Sequence, residues 1–217
     1  MFPPSLCEQL GQSGVVAGFA IEKTAHAAPL AKALHDGGIQ TIELMLRTEA
    51  GLEAVRSIAR DVPDILLGVG TILTPEQARQ VKDAGADFGV SPGLNPSVIE
   101  AAQEAELPFA PGICTPSELE QAIELGCRLV KFFPAEPSGG LAYLKSMAAP
   151  YRHLNIQYFP LGGINEQNMH AYLNESNVPT VGGSWIVKKE LVEQEDWSAI
   201  TARAKNVIEH LKLGADA

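Results

Sequence analysis

TPEQARQVKDAGADFGVSPGLNPSVIEAAQEAELPFAPGICTPSELEQAIELGCRLVKFF, residues 74–133, is the stretch on which the fold turns. Three segments in it have helical character: TPEQARQVKDAGA (74–86), NPSVIEAAQEAE (95–106) and TPSELEQAIELG (115–126). Three short apolar runs separate and follow them: FGVS (88–91), FAPGI (109–113) and LVKFF (129–133). Thr74, Asn95 and Thr115 each stand where a helix N-cap should stand. Pro75 and Pro96 follow the first two, and Thr115 with Glu118 has the spacing of a capping box. Gly85 and Gly126 end their helices. Strand and helix in strict alternation mean parallel β-α units.

The same rhythm runs outward in both directions. VVAGFAI (15–21), TIELML (41–46) and ILLGVG (65–70) precede this stretch, and IQYFPLGG (156–163) and TVGGS (180–184) follow it. HAAPLAKALHDGG (26–38) is a further helix ending at Gly38. Eight units in 217 residues give about 27 residues each, which suits an α/β (β/α)8 TIM barrel forming a single domain over 1–217. A doubly wound open sheet is the alternative, but its first-strand G-x-G-x-x-G is absent. SLCEQLGQ (5–12) is expected as a short N-terminal helix, and DWSAITARAKNVIEHLKLG (196–214) as the closing one.

Composition narrows the partners. Lys plus Arg is 16 against 26 for Asp plus Glu, a net charge of −10, with no basic cluster to wrap a nucleic acid. A small phosphate can still be held by backbone N–H groups. The apolar runs are too short to span a bilayer. MFPPSLCEQLGQSG lacks the basic and apolar regions of a signal peptide. Cys7, Cys114 and Cys127 are odd in number and scattered, as befits free thiols in a reducing compartment. A soluble, cytoplasmic protein is expected. Cys114 is expected to be a small buried packing residue. His26, His35, His153, His170 and His210 show neither H-x-H nor H-E-x-x-H spacing, so no metal site is expected. His26, His35 and His210 fall on helices and read as surface residues.

In a (β/α)8 barrel, chemistry sits at the carboxyl ends of the strands. Two charges stand out there. Lys131 is flanked by Leu129, Val130, Phe132 and Phe133, in a strand type that is normally apolar on both faces. Pointing inward, it must be paired or neutral, and a neutral amine attacks carbonyls. Pointing along the strand end, its ammonium reaches solvent. Glu43 lies between Ile42 and Leu44, either as half of a structural ion pair with Arg47 or Lys131 or as a general acid/base. Arg47 could clamp a carboxylate or be an ordinary surface residue. Two Gly-Gly pairs, Gly162-Gly163 and Gly182-Gly183, each follow a strand and precede an expected helix. The loops after strands 7 and 8 are a frequent phosphate site, although a glycine pair also makes a plain tight turn.

Taken together, IELMLRTE, GVGTI, SPGLNP, PGICTPSE, VKFFPAEPSGG, PLGGI and VGGSW resemble the 2-keto-3-deoxy-6-phosphogluconate (KDPG) aldolase family, which includes the 4-hydroxy-2-oxoglutarate (KHG) aldolases. The resemblance runs in order from about residue 15 to 187. It implies a class I, metal-independent, cofactor-free aldolase, as a homotrimer, acting on a phosphorylated keto acid. It makes Lys131 the Schiff-base lysine and Glu43 the general acid/base. Arg47 and Thr71 would hold the pyruvyl carboxylate, and Pro92 and Phe133 would line the pocket. Gly162, Gly163, Gly183 and Ser184 would bind the distal phosphate.

Three positions depart from the family pattern. Met45 and Leu161 stand where threonines are usual, and Ala17-Gly18-Phe19-Ala20 replaces a Pro-Val strand. These changes bear on the substrate rather than on the Schiff-base chemistry, since a pocket without a hydroxyl partner discriminates sugar hydroxyls less well. KDPG is the expected substrate, with KHG and 2-keto-3-deoxy-6-phosphogalactonate as alternatives. More distant readings are a phosphosugar isomerase or epimerase, or a non-catalytic phosphometabolite-binding barrel.

Overall fold

The chain folds as mixed α/β with parallel strands; the structure is a computed structural model and describes residues 2–215. The strands among these residues are β1 (Val15–Phe19), β2 (Thr41–Met45), β3 (Leu66–Gly70), β4 (Phe88–Val90), β5 (Phe109–Ala110), β6 (Gly112–Ile113), β7 (Leu129–Phe132), β8 (Gln157–Pro160) and β9 (Val181–Gly183). The α-helices are α1 (Pro4–Ser13), α2 (Ala27–Asp36), α3 (Gly51–Asp61), α4 (Pro75–Asp83), α5 (Pro96–Glu104), α6 (Pro116–Glu124), α7 (Gly140–Ala148), α8 (Met169–Leu173), α9 (Lys189–Glu193) and α10 (Trp197–Ala215). The N-terminal and closing helices are where the sequence puts them.

Local chemistry explains the boundaries. Thr74 and Thr115 both form full capping boxes, with Gln77 and Glu118, and the Asn95 side chain accepts from the Ser97 N–H at 3.1 Å. Gly38, Gly85 and Gly126 turn the chain at φ of 95°, 99° and 81°, a region closed to most L side chains. The expected fifth strand is divided. Pro111 interrupts it, because proline has no N–H to give a ladder. β5 pairs with β4, whereas β6 pairs with β7.

Two sheets result, ordered β5-β4-β3-β2-β1-β9 and β6-β7-β8. A single parallel bridge, Leu161 to Gly182, connects the end of β8 with β9. Alternation along each strand sorts side chains into two cores. Ala17, Val130, Phe132 and Tyr158 face the helices in the larger one. Val16, Phe88, Val90, Ala110, Leu129, Phe159 and Leu161 gather on the inner face of the sheets. α1 adds Leu6 and Leu10 to that inner cluster, and Phe2, just ahead of the helix, stands edge-on to Phe88 at 5.7 Å. The helix therefore stoppers the amino end of the strands. On α10, Thr201 Oγ1 donates to the Ala33 carbonyl at 2.9 Å and so fastens the closing helix to α2. No helix among the described residues is long and apolar enough to cross a membrane.

Candidate active site

Lys131 shares the inner face with Leu129, two residues earlier on β7, but it lies nearer the carboxyl end. Its Nζ donates to Glu43 Oε1 at 2.9 Å. The two side chains are 6% and 1% exposed. Of the partners open to Glu43 in the sequence, the structure selects Lys131 over Arg47. The ammonium also lies 5.1 Å from the centre of the Phe133 ring, in cation–π range. A charge pair this buried is costly to assemble and gives little net stability, so stability alone does not account for it.

Glycines make the space for this pair. A Cβ at Gly70, on β3, would collide with Glu43 Oε1. Gly18, paired with Glu43 across β1 and β2, leaves the other carboxylate oxygen free, at 3.7 Å from where its own Cβ would stand. The sequence marks Gly70 only as a strand end and Gly18 only as a departure; neither glycine announces the room it leaves.

At the ends of β2 and β3, Arg47 Nε donates to Thr71 Oγ1 at 3.3 Å. Arg47 is exposed and Thr71 half-buried. Thr71 holds φ of 61°, an uncommon and strained conformation for a β-branched residue. Pro92 packs beside Gly112, the residue paired with Lys131. Buried Ser91 fixes that corner by donating to the Gly93 carbonyl at 2.7 Å and accepting from the Gly112 N–H at 3.4 Å.

The glycine pairs border the same region. Gly162 and Gly163 have φ of 93° and 87°. A Cβ at Gly162 would stand 3.2 Å from Phe133 Cε2, and one at Gly18 would stand 3.6 Å from the Gly183 carbonyl oxygen. Neither pair leads straight into a helix, contrary to expectation. An Asn165–Asn168 turn intervenes before α8, with Asn168 Oδ1 accepting from the Asn165 N–H at 2.8 Å. Four bent residues and Lys188 intervene before α9. Any anion here would therefore meet loop backbone rather than helix ends.

A cavity of about 550 Å³ opens at the ends of β1 and β2, lined by Gly18, Met45, Ser184, His26 and Lys189 among others, though by neither Lys131 nor Glu43. Met45 faces it, whereas Leu161 turns into the inner cluster against Gly182. His26 is not a surface residue. It is 7% exposed, with Nε2 3.1 Å from Glu195 Oε1 and its ring edge-on to Trp197. Its partner lies 169 residues away, beyond the reach of helical periodicity. Cys114 is half-buried against the helix-side core rather than fully enclosed. Buried Cys127 has its thiol pushed up to about 11 by desolvation, which keeps it protonated and inert. No three His, Cys, Asp or Glu side chains among the described residues gather as a metal site.

Known proteins share this arrangement of sequence and fold. The family described as KDPG and KHG aldolase matches residues 6–203. The chain is 41% identical to the KHG/KDPG aldolase of Escherichia coli over 199 residues, covering 92% of each. It is 44% identical to the 2-dehydro-3-deoxy-phosphogluconate aldolase of Dickeya dadantii over 202 residues, covering 93% of this chain and 94% of that one. It superposes with a TM-score of 0.88 and 38% identity on the KDPG aldolase of Legionella pneumophila, solved with pyruvate captured as a covalent carbinolamine, over 94% of this chain and 98% of that one. By residues and by backbone alike, the chain belongs to the KDPG and KHG aldolase family.

Proposed function

We propose that this chain is a class I aldolase that cleaves KDPG to pyruvate and glyceraldehyde 3-phosphate through a Schiff base on Lys131. The observation that carries the reading is the buried 2.9 Å contact between Lys131 Nζ and Glu43 Oε1 at the carboxyl ends of the strands. Passing one ammonium proton to the carboxylate across that bond frees the amine lone pair. The amine adds to the C2 ketone, and loss of water gives an iminium. The C4 hydroxyl then loses its proton, the C3–C4 bond breaks, and its electron pair moves into the iminium to form an enamine. The aldehyde departs. Protonation at C3 and hydrolysis release pyruvate and restore Lys131. Glu43, directly or through a water, carries the proton at each stage.

Arg47 and Thr71 hold the pyruvyl carboxylate in this reading, supported by their mutual contact at 3.3 Å. Pro92 and Phe133 wall the pyruvyl end. Gly162, Gly163, Gly183 and Ser184 take the distal phosphate; the positive φ of the first two supports this, since neither has a side chain of its own to keep an anion from its N–H. Cleavage of KHG is the second reading, favoured by Met45, which lines the cavity without offering a hydroxyl. We read the whole chain as one catalytic domain whose two sheets close into a (β/α)8 barrel. The Leu161–Gly182 bridge on one side supports closure, as does the single residue Pro111 between β5 and β6 on the other, whose carbonyl accepts from the Lys131 N–H at 2.8 Å. The family resemblance carries the homotrimer and the cytoplasmic setting.

The test is borohydride reduction in the presence of pyruvate, followed by intact and peptide mass spectrometry. A reduced pyruvyl adduct on Lys131 is expected. Folded protein that traps no adduct would overturn the Schiff-base reading and favour an isomerase or a phosphometabolite-binding barrel.

A further inference from the structure

We infer that Arg203, on the closing helix α10, is a positioning residue that shapes the loop carrying the distal anion; this rests on the aldolase reading above. Residues 184–187 follow β9 without regular secondary structure. The Arg203 guanidinium reaches that loop with one edge. Its Nη2 donates to the Trp185 carbonyl at 2.7 Å and its Nε to the Ile186 carbonyl at 3.1 Å. Neither carbonyl has another hydrogen bond among the described residues. Within the loop, the Trp185 ring folds back over Gly183, where a Cβ would collide with it. Arg203, Ser184 and Lys188 line one shallow cavity of about 540 Å³, so the residue that braces the loop also lends charge beside Ser184.

Two consecutive carbonyls turned toward α10 fix the 185–186 and 186–187 peptide planes, the first of them one peptide beyond the Ser184–Trp185 link. Anchored there, the loop has its course out of β9 restrained from its far side, and with it the Gly183 and Ser184 backbone on which anion binding depends. The planar fork of arginine gives two parallel N–H donors, which a lysine ammonium on a flexible stem cannot match. Arg203 touches no reacting atom, so its loss should weaken capture of the phosphate and leave Schiff-base formation alone.

The experiment compares wild type, R203A and R203K as full chains. Three readouts are kinetics on KDPG, kinetics on the same keto acid without its phosphate, and trapping of pyruvate on Lys131. Hydrogen bonds from a charged group have a strength that predicts a loss of about tenfold in kcat/KM for the phosphorylated substrate, entered through KM. R203K should recover only part of it. Turnover of the unphosphorylated acid and the yield of pyruvyl adduct should stay within about twofold of wild type, as roughly uniform chemistry demands. Equal losses on both substrates, or none on either, would overturn the assignment of Arg203. Weaker broadening of the inorganic phosphate 31P line by R203A than by wild type is expected as well, and that measurement needs no aldol chemistry. If wild type itself traps no pyruvate, the aldolase reading falls while the phosphate measurement still decides Arg203. Should R203A fail to fold, R203K carries every arm.

Discussion

On the inner face of the sheets, the amino and carboxyl ends of the strands are built to opposite rules. At the amino end, Leu129, Phe88 and Val16 cluster with Phe2 and with Leu6 and Leu10 of α1, and the interior is apolar and filled. Toward the carboxyl end of the same strands, Lys131 and Glu43 stand face to face, with glycines where side chains would otherwise be. The rise of one side-chain repeat on β7, from Leu129 to Lys131, separates the two regimes. A plugged amino end supplies burial from which the open end draws the stability it lacks. Substitutions at the two ends should therefore fail differently.

Lys131→Ala should give the largest effect. Turnover of KDPG should fall by about a thousandfold or more, because the proposed iminium forms on this amine. The far-UV circular dichroism at 25 °C should remain that of wild type. Turnover near wild type would end the mechanism. Phe88→Ala comes next and inverts the pattern. It should cost about 3–5 kcal/mol in urea unfolding, while kcat of the folded protein changes by no more than severalfold. A rate loss rivalling that of Lys131→Ala would erase the distinction between the ends.

Gly70→Ala sharpens the comparison. Its Cβ would drive Glu43 off its contact with Lys131, so about 1–3 kcal/mol of stability should be lost together with slower trapping of pyruvate. Gly18→Ala, whose Cβ rests 3.7 Å from the same carboxylate, should leave trapping nearly unchanged. Equal behaviour of the two would show that room beside Glu43 is not what these glycines supply. The smallest effect should come from EDTA, with no change in rate; loss of activity restored by a divalent cation would point to a different class of aldolase.

Much of this was readable from residues alone. The strands are legible because helix and sheet bury them on both faces, which forces short apolar runs, and the capping threonines and terminal glycines mark the helices between. Lys131 and Glu43 are legible for the same reason, as charges in a place where charge is expensive. What escapes the reading has no local signature. Gly18 and Gly70 act by lacking a side chain. His26 owes its burial to Glu195 and Trp197, far along the chain. Arg203 looks like any cation on an amphipathic helix, since its partners are backbone carbonyls 17 and 18 residues away. The helices expected directly after the glycine pairs yield to an asparagine turn and a bent loop, which follow from side-chain geometry rather than from glycine spacing.

Thr71 carries a consequence of its own. A β-branched residue at φ of 61° stores about 1–3 kcal/mol of backbone strain, and the rest of the fold must hold it there for its hydroxyl to meet Arg47. Glycine at that position would relax the backbone and raise the melting temperature, and it would remove the hydroxyl in the same stroke. On the proposed reading, in which that hydroxyl serves the substrate carboxylate, selection for robustness and selection for turnover pull this one residue in opposite directions.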